Sequence, residues 1–123
     1  MFHSEPPSVR VHVYERCDTC RKALKWLDAH HVKREEIPIR QQPPTIEELS
    51  RMLESTGSLR KLFNTSGVDY KSLGLKDRIA QLGLEEALLL LSSNGNLVKR
   101  PFLLTPAGGA VGFKEEWRKV LGG

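Results

Sequence analysis

Residues 9–27 read Val9-Arg10-Val11-His12-Val13-Tyr14-Glu15-Arg16-Cys17-Asp18-Thr19-Cys20-Arg21-Lys22-Ala23-Leu24-Lys25-Trp26-Leu27, and two periodicities meet inside them. Val9, Val11 and Val13 alternate with Arg10, His12 and Tyr14, the period of a strand with one apolar and one polar face. From Cys20 the apolar positions spread to Cys20, Ala23, Leu24 and Leu27, one face of a helix. Cys17 and Cys20 therefore stand where a strand hands over to a helix. Unpaired N–H groups and about half a positive charge gather at a helix N-terminus, so a thiolate placed there is stabilised. Arg16, Arg21 and Lys22 add positive charge, partly offset by Asp18. Cys17 precedes the helix and is expected to be the more exposed sulfur. Cys20 lies about one turn in, within reach of an unstrained disulfide. A Cys-x-x-Cys beside a β-α-β pattern reads as a thioredoxin-like redox motif. The alternatives are two inert buried thiols or a zinc site. Zinc lacks a second cysteine pair here, and His30-His31 lies too close to Cys20 for finger spacing.

Composition excludes other classes. The chain has 123 residues, enough for one real core, and is 39% hydrophobic and 28% charged, the balance of a soluble globular domain rather than a disordered one. Its longest apolar run, Ala87 to Leu91, is far too short to span a membrane. No signal-type apolar segment opens the sequence, so a cytoplasmic location is expected, where two cysteines are more often catalytic or sensing than structural. A net charge of +4, spread among acids, has no basic stripe of the kind nucleic acid requires.

The pattern predicts a flexible lead-in over residues 1–8 and a single domain over 9–123. Within that domain a strand spans Val9–Tyr14 and a helix Thr19–His30, with the tandem histidines favouring the helix C-terminus. A second strand falls in Val32–Arg40, where Pro38 demands an edge or a strand end. Thr45 and Glu48 form a capping box for a helix striped by Ile46, Leu49, Met52 and Leu53 and ended by Gly57. Ser58–Phe63 reads as a short helix, Asn64–Gly67 as a turn, Asp69–Leu75 as irregular and Lys76–Leu82 as a short helix. Leu84–Ser92 is apolar nearly all round and is expected to be a buried helix. Phe102–Leu104 suits a central strand. A turn at Pro106–Gly109 returns the chain as a strand over Ala110–Phe113, and a last helix presents Phe113, Trp117, Val120 and Leu121, before a frayed Gly-Gly end. The order β-α-β, helical stretch, β-β-α predicts a thioredoxin-like α/β fold with a helical insertion between strands 2 and 3.

Several ordered motifs carry a family resemblance. Tyr14 to Ala23, Pro43-Pro44 before Thr-Ile-Glu-Glu-Leu, Ser72 to Leu75, Lys99 to Thr105 and Val111 to Trp117 are similar to the arsenate reductase (ArsC) family, on the branch of Spx, MgsR and the YffB-like proteins. In the glutaredoxin-linked reductases of that family one cysteine attacks arsenate among three arginines. The resemblance implies that Cys17 is the nucleophile, Cys20 the resolving thiol and Arg100 one of the arginines. Asn64 and Phe113 stand where the other two would be, and Ser66 replaces an arginine usual on this branch, so weak arsenate turnover is expected. Arg16, Thr19, Arg21, Asn64 and Pro101 complete the expected substrate site. A thioredoxin-like frame places a cis-proline opposite the active cysteine, which would be Pro101. An arginine at the start of a buried strand also calls for a partner, and its planar fork suits an oxyanion or carboxylate.

The resemblance implies a reductase of a small oxyanion or thiol substrate. Glutathione, glutaredoxin or thioredoxin would be the electron donor, with no metal and no tightly bound cofactor. The competing expectation is a redox-sensing regulator whose disulfide is a switch and whose partner is the RNA polymerase α subunit.

Overall fold

Strand β1 (Arg10–Val13) lies inside a four-stranded sheet of order β2-β1-β3-β4 in the computed structural model, which describes residues 8–114 and 116–121. The predicted lead-in, apart from Ser8, and the Gly-Gly end fall outside the described residues. β2 (Glu35–Pro38) pairs in parallel with β1, whereas β3 (Phe102–Thr105) runs antiparallel to it, setting Val11 against Leu103 and His12 against Phe102. β4 (Gly108–Val111) closes the other edge as a hairpin partner of β3. Pro38 ends an edge strand, where its missing N–H breaks no ladder. This is the thioredoxin-like α/β fold, with the predicted insertion between β2 and β3.

Two apolar layers cover the sheet. On one face Val11 and Leu103 pack with Ala23 and Leu27 of α1 (Asp18–Ala29) and with Trp117 of α6 (Glu116–Leu121). The Trp117 indole N–H donates to the Gly112 carbonyl at 2.7 Å, which fixes α6 to the end of β4. On the other face Phe102 and Leu104 meet Leu49 and Met52 of α2 (Ile46–Thr56). α2 keeps its predicted capping box, with both reciprocal bonds between Thr45 and Glu48 present, and ends on Gly57 in the left-handed region at φ 71°.

His12, on the polar face of β1, is 1% exposed, its ring edge-on to Phe102 at 5.5 Å, because the insertion covers that side of the sheet. Two expectations change. Asp69–Leu75 is not irregular but carries α3 (Val68–Ser72), followed after Gly74 by α4 (Leu75–Arg78). The Asp69 carboxylate accepts from the Asn94 and Asn96 amides at 3.0 and 3.3 Å, a tie across the insertion that no local pattern announces. The helix α5 (Leu84–Ser93) buries Ala87, Leu88 and Leu91, but Leu84 and Leu89 are more than half exposed, so it is a one-faced surface helix. Gly95, just beyond it, sits so close to the Ile39 carbonyl that any Cβ would collide at 1.8 Å. That contact seats the end of the insertion against the chain leaving β2. Among the described residues no helix is long and apolar enough to cross a membrane.

Candidate functional site

At the end of β1 the Tyr14 carbonyl accepts the Cys17 N–H at 3.0 Å, closing a turn that delivers Cys17 to the start of α1. Cys17 has extended backbone angles and is the N-cap residue; its sulfur accepts the Cys20 N–H at 3.3 Å. A sulfur here does the work usually done by a Ser, Thr, Asp or Asn oxygen, and it meets the unpaired N–H groups of the first turn. Cys17 is half-buried and Cys20 is 1% exposed, in the predicted order. Both are free thiols. Burial pushes the Cys20 thiol up to about 12; the neighbouring Cys17 adds to the rise, while a Tyr14 backbone hydrogen bond and the Arg100 charge oppose it.

Arg100 joins Pro101 through a cis peptide bond, the isomer implied for the frame. Its guanidinium carbon lies 4.9 Å from the centroid of the Tyr14 ring, and its Nη1 is buried with no hydrogen-bond partner among the described residues. A second guanidinium shares that ring. Arg40 lies 5.1 Å from the same centroid and donates from Nη1 to the Tyr14 hydroxyl at 3.1 Å. Neither Arg40 nor Tyr14 was predicted as a site residue. The Ile39 N–H donates to the Val13 carbonyl at 2.9 Å, and this continuation of the parallel β1–β2 pairing brings Arg40 beside Tyr14. The only available signal was an arginine closing the predicted strand Val32–Arg40.

The other predicted site residues divide. Arg16 and Thr19 are exposed on the Cys17 turn. Arg21 is exposed too, but its guanidinium donates to the Glu15 carbonyl and to Asp18 Oδ1, both at 3.0 Å, and so braces the turn. Asn64 is buried within the insertion. Its backbone N–H donates to the Leu97 carbonyl, its side-chain amide donates to the Asn96 carbonyl at 3.4 Å, and its Oδ1 accepts from Ser66. Phe113 packs edge-on against Trp117 at 5.1 Å. His30 donates from Nδ1 to the Trp26 carbonyl at 2.8 Å and stacks on that indole, a cap for the end of α1. Among the described residues no group of three or more His, Cys, Asp or Glu is placed to hold a metal.

A cleft of about 500 Å³ opens beside the pair, between α1 and the β2 edge. Cys20 is the cysteine that borders it. Its floor is apolar, from Val13, Leu24 and Ile37, with Glu15, Glu36 and Arg21 at the rim.

Comparison with known proteins places these features in context. The model of the ArsC family matches residues 12–120. The uncharacterised protein YusI of Bacillus subtilis is 44% identical over 110 residues, covering 89% of this chain and 93% of that protein. The global transcriptional regulator Spx of Enterococcus faecalis is 31% identical over 101 residues, 81% of this chain and 75% of the regulator. The crystal structure of an ArsC family related protein from Bacteroides fragilis superposes with a TM-score of 0.88 at 40% identity, covering 94% of this chain and 99% of that one.

Proposed function

Since the chain belongs to the ArsC family, we propose that it is a thiol-dependent reductase in which Cys17 is the nucleophile and Cys20 the resolving thiol. One observation carries this: the half-exposed Cys17 sulfur caps α1 and faces its first-turn N–H groups, while Cys20 waits buried one turn away. The Cys17 thiolate attacks one sulfur of a substrate disulfide, forming a mixed disulfide and expelling the other half as a thiolate that takes up a proton. Cys20 then gives its proton to water and attacks Cys17 Sγ, releasing the second half. Two electrons have moved from the cysteine pair to the substrate, and two donor thiols, from glutathione, glutaredoxin or thioredoxin, restore the pair.

Arg100 and Arg40 hold the anionic end of the substrate beside Tyr14, and Pro101 shapes the shelf beneath it. Arsenate fits this arrangement poorly. The Asn64 amide is engaged on the Asn96 carbonyl and Phe113 is packed on an indole, so the donors around such an anion are few.

The test is mass spectrometry of the reduced protein after exposure to oxidised glutathione. Wild type should pass through a glutathione adduct on Cys17 to a Cys17–Cys20 disulfide, and Cys20→Ser should stop at the adduct. Closure should also accelerate by about tenfold per pH unit between pH 7 and 10, because the Cys20 thiol, raised by burial to about 12, ionises only in proportion to pH. Identical oxidised products in the two proteins, or closure indifferent to pH, would remove Cys20 from its role.

A second prediction concerns Arg100. Arg100→Lys keeps the charge and loses the planar fork, so reduction of an anionic disulfide should fall by about tenfold, with an unchanged melting temperature. A large loss of stability would instead make Arg100 a structural residue.

The 31% identical Spx relative favours a second reading, in which the same disulfide is a switch and the RNA polymerase α subunit the partner. It becomes the better account if the pair closes but no thiol donor sustains turnover.

A further inference from the structure

A second cleft, which neither cysteine lines, opens between the end of α2, the 3₁₀ turn Leu59–Leu62 and the outer edge of β4. Its volume is about 370 Å³. Arg60, Lys61, Lys99 and Lys114 stand around it with the hydroxyls of Ser55, Thr56 and Thr65, and among the described residues no carboxylate is part of its wall. Arg60, Lys61 and Lys99 enter none of the ion pairs among the described residues. Like charges gathered on one cleft repel, and an anion between them relieves the repulsion.

The frame beneath the cations is held firmly. The Lys99 N–H donates to the Leu62 carbonyl at 2.8 Å, and Phe63 bridges to Val98, so the two cationic segments share one piece of backbone. Gly109 forms part of the floor. A Cβ there would meet Met52 Sδ at 2.8 Å, and its N–H already donates to Ser55 Oγ at 2.9 Å. Phe63, Ala110 and Val111 supply an apolar wall.

We propose that this cleft binds a small phosphorylated molecule, with Arg60, Lys61 and Lys99 on the phosphate oxygens and the apolar wall against its organic part. The volume suits a small ligand. Lysines act as point charges for phosphate and arginine as a two-toothed donor. The site is independent of the thiol chemistry proposed above, since Arg100 and the cysteines do not line it.

The probes are inorganic pyrophosphate and AMP, titrated into the full chain by isothermal calorimetry at constant ionic strength. Both should bind at one site, and Lys61→Gln/Lys99→Gln should weaken binding by about tenfold or more, the loss expected when charge-assisted contacts disappear. Arg60→Gln serves as a second, single-site variant should the double one fold poorly. Arg100→Lys should leave the affinity unchanged. Absence of saturable binding, equal affinity in the variants, or loss on Arg100→Lys would overturn the proposal. So would tighter binding of an acidic peptide or a single-stranded oligonucleotide than of either probe.

Discussion

Cys17→Ser should lower disulfide reduction by about a thousandfold or more while leaving the fold intact. The chemistry is lost because the attacking group must be a thiolate, and a serine hydroxyl is not ionised near neutral pH. The fold is kept because serine is among the best N-cap residues and its oxygen can accept the Cys20 N–H that the sulfur now accepts at 3.3 Å. The substitution therefore separates nucleophile from cap. Steady-state turnover with a small disulfide and a thiol donor, read beside thermal unfolding, checks both halves. Cys20→Ser should behave differently, retaining the first covalent step and losing the second. Turnover within a few-fold of wild type in Cys17→Ser would assign the chemistry to another group.

Acid should weaken the fold through His12, with a window that can be stated in advance. His12 is 1% exposed, neither ring nitrogen has a hydrogen-bond partner among the described residues, and burial lowers its pKa to about 4. Two charged groups modify this: Glu48 favours the protonated ring and Arg10 disfavours it. In the unfolded chain His12 takes up a proton near its ordinary value of about 6.5, but the folded chain resists until about 4. The unfolded state thus binds more protons between those values. The stability is present above pH 6.5 and is lost as pH falls toward 4, by on the order of 3 kcal/mol in total at 1.36 kcal/mol per unit. That is a large share of the 5–15 kcal/mol typical of a domain. Urea unfolding at pH 7, 6 and 5 should show the loss in wild type and a flatter profile in His12→Phe, which keeps an aromatic ring beside Phe102 and removes the two unpartnered nitrogens. Equal slopes in the two proteins would mean that other groups carry the acid response. Asp69 contributes at lower pH. Hydrogen bonds from Asn94 and Asn96 hold its carboxyl below the usual range, so its share is lost only as pH falls through that depressed value.

Local patterns were read correctly where the physics is local. The passage from period two to helical spacing between Val13 and Cys20 located both cysteines at a helix start. The capping box at Thr45 and the left-handed Gly57 bounded α2, because caps satisfy backbone groups within a few residues of themselves. Errors arose where a neighbour distant in sequence decides the outcome. Asp69 is ordered by Asn94 and Asn96, and α3 with it. Leu84 and Leu89 look like core by composition, yet only one face of α5 packs inward, against α2, and composition does not say how many faces a helix has covered.

The site divides in the same way. By itself the sequence determined the Cys17–Cys20 pair, its helix N-terminus, the order of exposure of the two thiols and the arginine before Pro101, since each follows from residue type and short spacing. Only the tertiary structure decided that His12 is sealed from water, that Arg40 joins Arg100 on Tyr14, and that Arg60, Lys61 and Lys99 surround one cleft. The parallel register of β1 with β2, the insertion folded over the sheet, and the backbone tie from Lys99 to Leu62 make those neighbours. Strand pairing and insertion packing join residues far apart in the chain, and no periodicity within either segment encodes which partner it will meet.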